Sequence, residues 1–341
     1  MALGRPLLVR LPNWLGDLIQ AWPVVQAAAS DPSRPAVFLG PASFASLVEP
    51  RFPSAPYIPW SRARRFAAAG EIRRHRSETA LLLTDSLSSA ILVSMAGVPE
   101  RIGYGAEFRD LLLTRRVPRE APSRSAPRVQ EYARLARAAG LELGEAPPRL
   151  EALPEDRDAA ASLLAHTGIG RESFAVLAPG ATYGPAKRWE PAKFAALAVA
   201  LHARDGARSI LVGTKEDESP AEEITRIAGA CAVDLVGASD LPALVGLLDA
   251  SILVASNDSG VMHLAAALRK PTVGVFGSTS PVWSAALAPW VRSLYAAYPC
   301  SPCFRRTCPI GYGCLRSIDA AQAIDAASEL LAAAPLPTSA F

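Results

Sequence analysis

Ser251-Ile252-Leu253-Val254-Ala255-Ser256-Asn257-Asp258-Ser259-Gly260-Val261-Met262-His263 is the stretch on which the fold turns. Residues 251–255 are a short apolar run, too short for a stable helix, and they open into a polar turn closed by Gly260. Residues 261–268 read as a helix, and residues 271–276 as a second apolar strand. A strand, a polar turn, a helix and a strand form the crossover unit of a parallel sheet.

The same alternation extends in both directions. Upstream, residues 174–177 read as a strand, 179–185 as a Gly/Pro-rich loop and 191–204 as a helix. Residues 209–212 form a strand ending at Gly213, followed by helix 222–229, strand 232–235 and helix 241–248. Residues 318–334 make a last, alanine-rich helix. The first half reads alike: strand 7–11, turn 12–16, helix 17–29, strands 36–39 and 81–83, and helices 88–96 and 129–139. Residues 119–128 read as a loop and the proline-rich 144–154 as a connection. At roughly 150 residues per domain, 341 residues make two domains. The expected class is α/β, with two Rossmann-like doubly wound domains facing a central cleft, over residues 1–165 and 166–341. Ligands of such sheets sit beyond the carboxyl ends of the strands.

Composition excludes several classes. The chain is 50% hydrophobic and 20% charged, so it can bury a core and is not wholly disordered. A net charge of +3 is too mild for a dedicated nucleic-acid binder. The longest apolar stretch, residues 79–98, contains Asp85 and four serines, which reads as a buried strand and helix rather than a span. The apolar run at 7–11 is too short for a signal-peptide core, so a cytoplasmic location is expected. The charge is unevenly placed: residues 1–165 hold 21 arginines and no lysine against 17 acids, and the remainder is balanced. Arg62, Arg64, Arg65, Arg73, Arg74 and Arg76 could form a patch for the anionic face of a membrane, or simply a solvated surface.

Three strand-end loops carry polar chemistry. In Arg10-Leu11-Pro12-Asn13-Trp14-Leu15-Gly16-Asp17, Asp17 is either a helix N-cap or a carboxylate able to deprotonate a hydroxyl. In residues 179–189, backbone amides around Gly180, the Thr182 hydroxyl, Lys187 and Arg188 suit phosphate oxygens. In residues 256–263, Ser259 and the free amides of the following helix form an anion site, and His263 lies one turn in. There is no P-loop, no G-x-G-x-x-G after the first strand and no G-x-S-x-G elbow, which counts against nucleotide hydrolysis, nicotinamide chemistry and a serine hydrolase. Cys300, Cys303, Cys308 and Cys314 cluster as C-x2-C-x4-C-x5-C. That spacing leaves a structural zinc site, reduced thiols and a disulfide all open. Cys231 reads as a small buried hydrophobe.

These three loops, in this order, resemble those of the ADP-heptose:lipopolysaccharide heptosyltransferases, glycosyltransferase family 9. So do Cys300-Ser301-Pro302-Cys303-Phe304-Arg305-Arg306-Thr307-Cys308 and Gly97-Val98-Pro99-Glu100-Arg101-Ile102-Gly103. Within the family, the segments are most similar to the branch that adds the second heptose. The resemblance implies a GT-B fold and inverting transfer of L-glycero-D-manno-heptose from ADP-heptose to a lipid A-linked inner-core sugar. Asp17 would be the general base and Lys187 the charge neutraliser of departing ADP. Thr182, Tyr183, Lys187, Asp258, Ser259, Gly260 and His263 would meet the donor, with Asp258 on sugar hydroxyls. Glu216 (or Glu218) would take the adenosine ribose, and adenine would lie near Ser239. Asn13, Trp14, Asp85, Ser86, Arg101 and Arg109 would meet the acceptor. The resemblance implies no cofactor required for chemistry, with magnesium only as a counterion. The expected location is the cytoplasmic face of the inner membrane, held peripherally. The alternatives are family members that add the first or third heptose, or an ADP-sugar-binding protein without catalysis.

Overall fold

The computed structural model describes residues 4–61, 63–119, 124–144, 146–169 and 172–333, which form two compact units, 1–148 and 149–341. In chain order the first contains β1 (Leu7–Arg10), α1 (Leu15–Gln20), α2 (Trp22–Ala29), β2 (Ala36–Pro41), α3 (Ala45–Val48), β3 (Tyr57–Trp60), α4 (Arg65–His75), β4 (Thr79–Leu82), α5 (Leu87–Met95), β5 (Glu100–Tyr104), β6 (Arg115–Val117) and α6 (Arg128–Ala138). The second contains α7 (Pro154–Leu164), β7 (Phe174–Ala178), α8 (Pro191–Asp205), β8 (Arg208–Leu211), α9 (Glu218–Ala228), β9 (Ala232–Asp234), α10 (Leu241–Ala250), β10 (Leu253–Asn257), α11 (Gly260–Ala267), β11 (Thr272–Phe276), α12 (Pro281–Ser284), β12 (Val291–Tyr295), α13 (Gly313–Arg316) and α14 (Ala320–Ala333).

Both sheets are parallel throughout and have the same topology. The first is ordered β3-β2-β1-β4-β5-β6, and the second β12-β11-β10-β7-β8-β9, the same winding read from the other edge. This is the Rossmann order, and its switch points fall between β1 and β4 and between β7 and β10. Strands covered on both faces read as continuous apolar runs, and β1, β7, β10 and β11 are buried along their whole length. Strands β3, β5, β6 and β12 escaped the sequence pattern. They are short and partly exposed; β5, β6 and β12 bear charges and β3 a proline, as edge or near-edge strands do.

The unit boundary differs from the expected 165/166. Helix α7 packs on α10, so it belongs to the second unit. A Cβ added to Gly246 on α10 would lie 2.1 Å from the Asp156 carbonyl oxygen and 2.7 Å from the Ala160 Cβ. The expected connection at 144–154 is correspondingly placed just ahead of this helix, where Asp156 accepts from the Leu153 amide at 2.8 Å. The second core closes around Trp189 and Phe194, whose rings meet edge to face at 5.0 Å.

Candidate active site

At the first switch point the chain leaves β1 through a buried arginine. Arg10 stacks over the Trp60 ring at 4.6 Å and donates to Asn13 Oδ1 at 2.6 Å and to the Leu11 carbonyl. Burial lowers its pKa to about 10, which still leaves it charged at neutral pH. Asn13 is thus an anchored turn residue, and Trp14 beside it is 54% exposed. The N-cap of α1 is Trp14, so Asp17 does not cap the helix. It sits in the first turn, mostly buried, with Arg128 Nε of α6 at 3.3 Å from Oδ1.

Across the switch point, Asp85 follows β4. Its Oδ1 is 2.6 Å from Arg119 Nη2 and 3.6 Å from Arg109 Nη1. Arg109 is buried against Gly103, where a Cβ would come within 2.6 Å of Nη2. None of its guanidinium nitrogens has a hydrogen-bond acceptor among the described residues, and burial lowers its pKa. Ser86 caps α5, accepting from the Ser89 amide. Arg101 is not brought to this site. It lies early in β5, paired with Ala80, and its guanidinium is taken by the carbonyls of Leu112, Val98 and Pro99. Arg119, stacked over the Tyr104 ring at 4.4 Å, and Arg128 belong to the site although sequence reading passed over them. They lie in or beside a proline- and arginine-rich loop whose composition reads as surface.

The second switch point is bound together more tightly. Asn257, buried at the end of β10, donates to the carbonyls of Pro179 (2.7 Å) and Gly180 (3.2 Å) and accepts from the Trp189 amide at 3.0 Å. One amide side chain therefore fastens both ends of the 179–189 loop. Lys187 Nζ lies 2.6 Å from Asp258 Oδ2 and 4.9 Å from the Tyr183 ring centroid. Asp258 Oδ2 also accepts from Thr279 Oγ1 at 2.6 Å and Ser284 Oγ at 3.1 Å. In this state Asp258 holds the lysine. Thr182 is exposed, while Tyr183 is tied back by its hydroxyl to the Phe304 carbonyl and by its own carbonyl to Arg306 Nε. Ser259 is the N-cap of α11 and pairs with Ser256 Oγ at 2.8 Å. Gly260 opens the helix and His263 is buried one turn in.

Glu216 is exposed after β8, and half-buried Ser239 follows β9. The two loops meet where the Gly237 amide donates to the Gly213 carbonyl at 2.9 Å. Glu218 begins α9. The acid that organises this corner is a neighbour that sequence reading did not name. Asp217 is buried, accepts from the Thr214 amide and hydroxyl at 3.0 Å each, and pairs with Arg188 at 3.2 Å. Gly180 is required there, because a Cβ would fall 2.2 Å from Asp217 Oδ2. Its sequence signal was Gly213-Thr214 followed by an acid three residues on, a capping box.

All five cysteines are free thiols. Among the described residues no three Cys, His, Asp or Glu side chains stand together as a metal's ligands. Cys308 accepts from the Tyr312 amide at 3.3 Å, and this with the Ile310 amide lowers its pKa, while burial raises that of Cys314. The cysteine-bearing segment braces the 179–189 loop: the Ala186 amide donates to the Arg306 carbonyl at 3.0 Å.

Known proteins resemble this chain along most of its length. The profile of glycosyltransferase family 9 (heptosyltransferase) matches residues 65–312. Lipopolysaccharide heptosyltransferase 2 of Escherichia coli K12 is 29% identical over 297 residues, covering 81% of this chain and 83% of the relative. The solved E. coli ADP-heptose LPS heptosyltransferase II superposes with a TM-score of 0.79 at 26% identity, over 96% of this chain and 98% of that one. A family 9 glycosyl transferase from Veillonella parvula shares the fold at 17% identity, with a TM-score of 0.82 over 97% and 98% of the two chains. With two Rossmann-order sheets and its polar loops at both switch points, the chain belongs to glycosyltransferase family 9, the heptosyltransferases.

Proposed function

We propose that this enzyme is a lipopolysaccharide heptosyltransferase II, moving heptose from ADP-heptose to the first heptose of heptosyl-Kdo2-lipid A. The observation that carries this reading is the likeness, over four fifths of the chain, to heptosyltransferase 2 proteins, together with the polar loops at both switch points. In the reaction, an acceptor hydroxyl oxygen attacks the anomeric carbon and the bond from that carbon to the ADP oxygen breaks, inverting the centre. The electron pair leaves with ADP, and the hydroxyl proton passes to Asp17. Lys187 lies against the diphosphate and neutralises the charge that builds on it.

On this reading the first unit takes the acceptor and the second the donor. Thr182, Tyr183, Ser259, Gly260 and His263 contact the donor phosphates and sugar, Asp258 orients Lys187, and Glu216 and Ser239 serve the adenosine. Asn13, Trp14, Asp85 and Arg109 contact the acceptor, and the unbonded Arg109 guanidinium suits its anionic groups. No cofactor is called on for chemistry, since Lys187 supplies the cation, and magnesium acts only as a counterion.

The enzyme is further proposed to work on the cytoplasmic face of the inner membrane, held peripherally. No described helix is long and apolar enough to cross a membrane. Helix α5 presents Leu87, Ile91 and Met95 to solvent at four-residue spacing. It packs beside α4, which exposes Phe66, Arg65, Arg73 and Arg74. An apolar stripe flanked by cations suits an anionic lipid surface. Arg62 of the expected basic patch lies outside the described residues.

Acceptor profiling tests the reading. Purified enzyme with ADP-heptose should glycosylate heptosyl-Kdo2-lipid A and leave Kdo2-lipid A untouched. Transfer to Kdo2-lipid A alone would overturn the assignment within the family.

A further inference from the structure

We infer that Arg128 is a positioning residue that orients Asp17 and keeps it ionised, an inference that rests on the general-base reading of Asp17. Asp17 is in the first turn of a short helix, α1, whose N-cap is Trp14. Arg128 Nε stands 3.3 Å from its Oδ1, and both side chains are about four-fifths buried, at 21% and 19% exposed. A cation at this distance from one carboxylate oxygen, in a half-dry site, favours the ionised form and draws that oxygen towards α6.

Arg128 is itself well held. It is the first residue of α6, directly after Pro127, so its backbone is set by the helix start. Nε also lies 3.1 Å from the hydroxyl of Tyr132, one turn along the same helix. Burial disfavours the Arg128 cation, but Tyr132 and Asp17 more than offset this and hold it above its ordinary range. Burial, and after it the Asp17 charge, pushes the Tyr132 phenol up, so it stays a neutral hydroxyl. Among the described residues, Glu131 and Tyr132 on α6 and Asp85 after β4 act on the pair, while α2, which packs on both helices, brings no charge. The chain thus sets Asp17, Arg128 and Tyr132 in a row, with the base at one end and a buried phenol at the other.

The experiment compares Arg128→Gln, Arg128→Lys, Asp17→Asn and the double variant Asp17→Asn/Arg128→Gln. It measures kcat against pH and the KM for each substrate, with heptosyl-Kdo2-lipid A as acceptor. A nearby cation lowers a carboxylate pKa, so removing it should raise the acid limb of the profile by about 1 pH unit. Loss of orientation should lower kcat at neutral pH about tenfold, a part of the roughly 10²–10⁴-fold that a general base contributes. Arg128→Lys should return the acid limb to its original pH while recovering only part of kcat, because a flexible ammonium does not keep the position that Nε holds between Asp17 and Tyr132. Asp17→Asn should abolish transfer, and adding Arg128→Gln should cost nothing further. An unmoved acid limb in Arg128→Gln, or a loss confined to acceptor KM, would overturn the inference and make Arg128 a direct acceptor ligand. If Arg128→Gln does not fold, Arg128→Lys decides, and an undiminished kcat there refutes orientation. Undiminished transfer by Asp17→Asn is a separate outcome, which removes the general-base reading itself.

Discussion

The two switch points share a topology and differ in how they are held. Around β7 and β10 the central polar side chains are bonded several times over: Asn257 fastens a loop at both ends, and Asp258 takes Lys187, Thr279 and Ser284 on one oxygen. Around β1 and β4 a buried cation is left with unmet donors. Arg109 is buried with no hydrogen bond among the described residues, Asp85 is half exposed between two arginines, and Asp17 stands beside Arg128. A saturated network is rigid before its ligand arrives, whereas a site with unmet donors is finished by its ligand. On the proposed reading, the saturated side takes a donor of one fixed structure and the open side a large, anionic acceptor.

Breaking each side should have different consequences. The largest effect is expected from Asp17→Ala, which should cut transfer by about 10²–10⁴-fold while ADP-heptose binding, read by calorimetry, stays within twofold. Unchanged transfer would remove Asp17 from the chemistry. Lys187→Met comes next. It strands the buried Asp258 carboxylate, which should cost about 3–5 kcal/mol, visible as a lower melting temperature together with weakened ADP binding. A variant of normal stability would mean that the pair is not buried as described. Asn257→Ala should destabilise by about 1–3 kcal/mol, since it leaves the Pro179 carbonyl and the Trp189 amide without partners. Asp85→Asn should leave the melting temperature within a degree or two and raise acceptor KM, which sharpens the comparison, because the same chemical change in the second unit, Asp258→Asn, should lower it. The smallest effect is reserved for the surface: Arg73→Glu/Arg74→Glu should weaken binding to anionic vesicles by about 1 kcal/mol per arginine at low salt, a difference that high salt erases. Equal flotation of both proteins would withdraw α4 from the membrane contact.

Much of this was legible in the linear chain because the physics behind it is local. A strand buried on both faces must be apolar throughout, so β1, β7, β10 and β11 announce themselves, as do the polar loops that end them. Edge strands such as β6, with its two exposed arginines, carry no such pattern. Helix α7 was not read from the sequence, and the expected boundary at 165/166 left residues 154–164 in the wrong half; the close approach of Gly246 on α10 shows which core buries them. Arg101 and Arg109 look alike in sequence, yet one braces a turn with three carbonyls and the other is buried with no hydrogen bond among the described residues.

The sequence alone determined the fold class, the three loops and the residue types they present, because strand periodicity, glycine turns and helix starts depend on neighbours a few positions apart. Only the tertiary structure decided which charges meet. Arg128 is 111 positions from Asp17, Lys187 is 71 from Asp258, and Asp217 is 29 from Arg188. Pairing energies depend on distance in space and on burial, and neither can be read until the strands have brought those positions together.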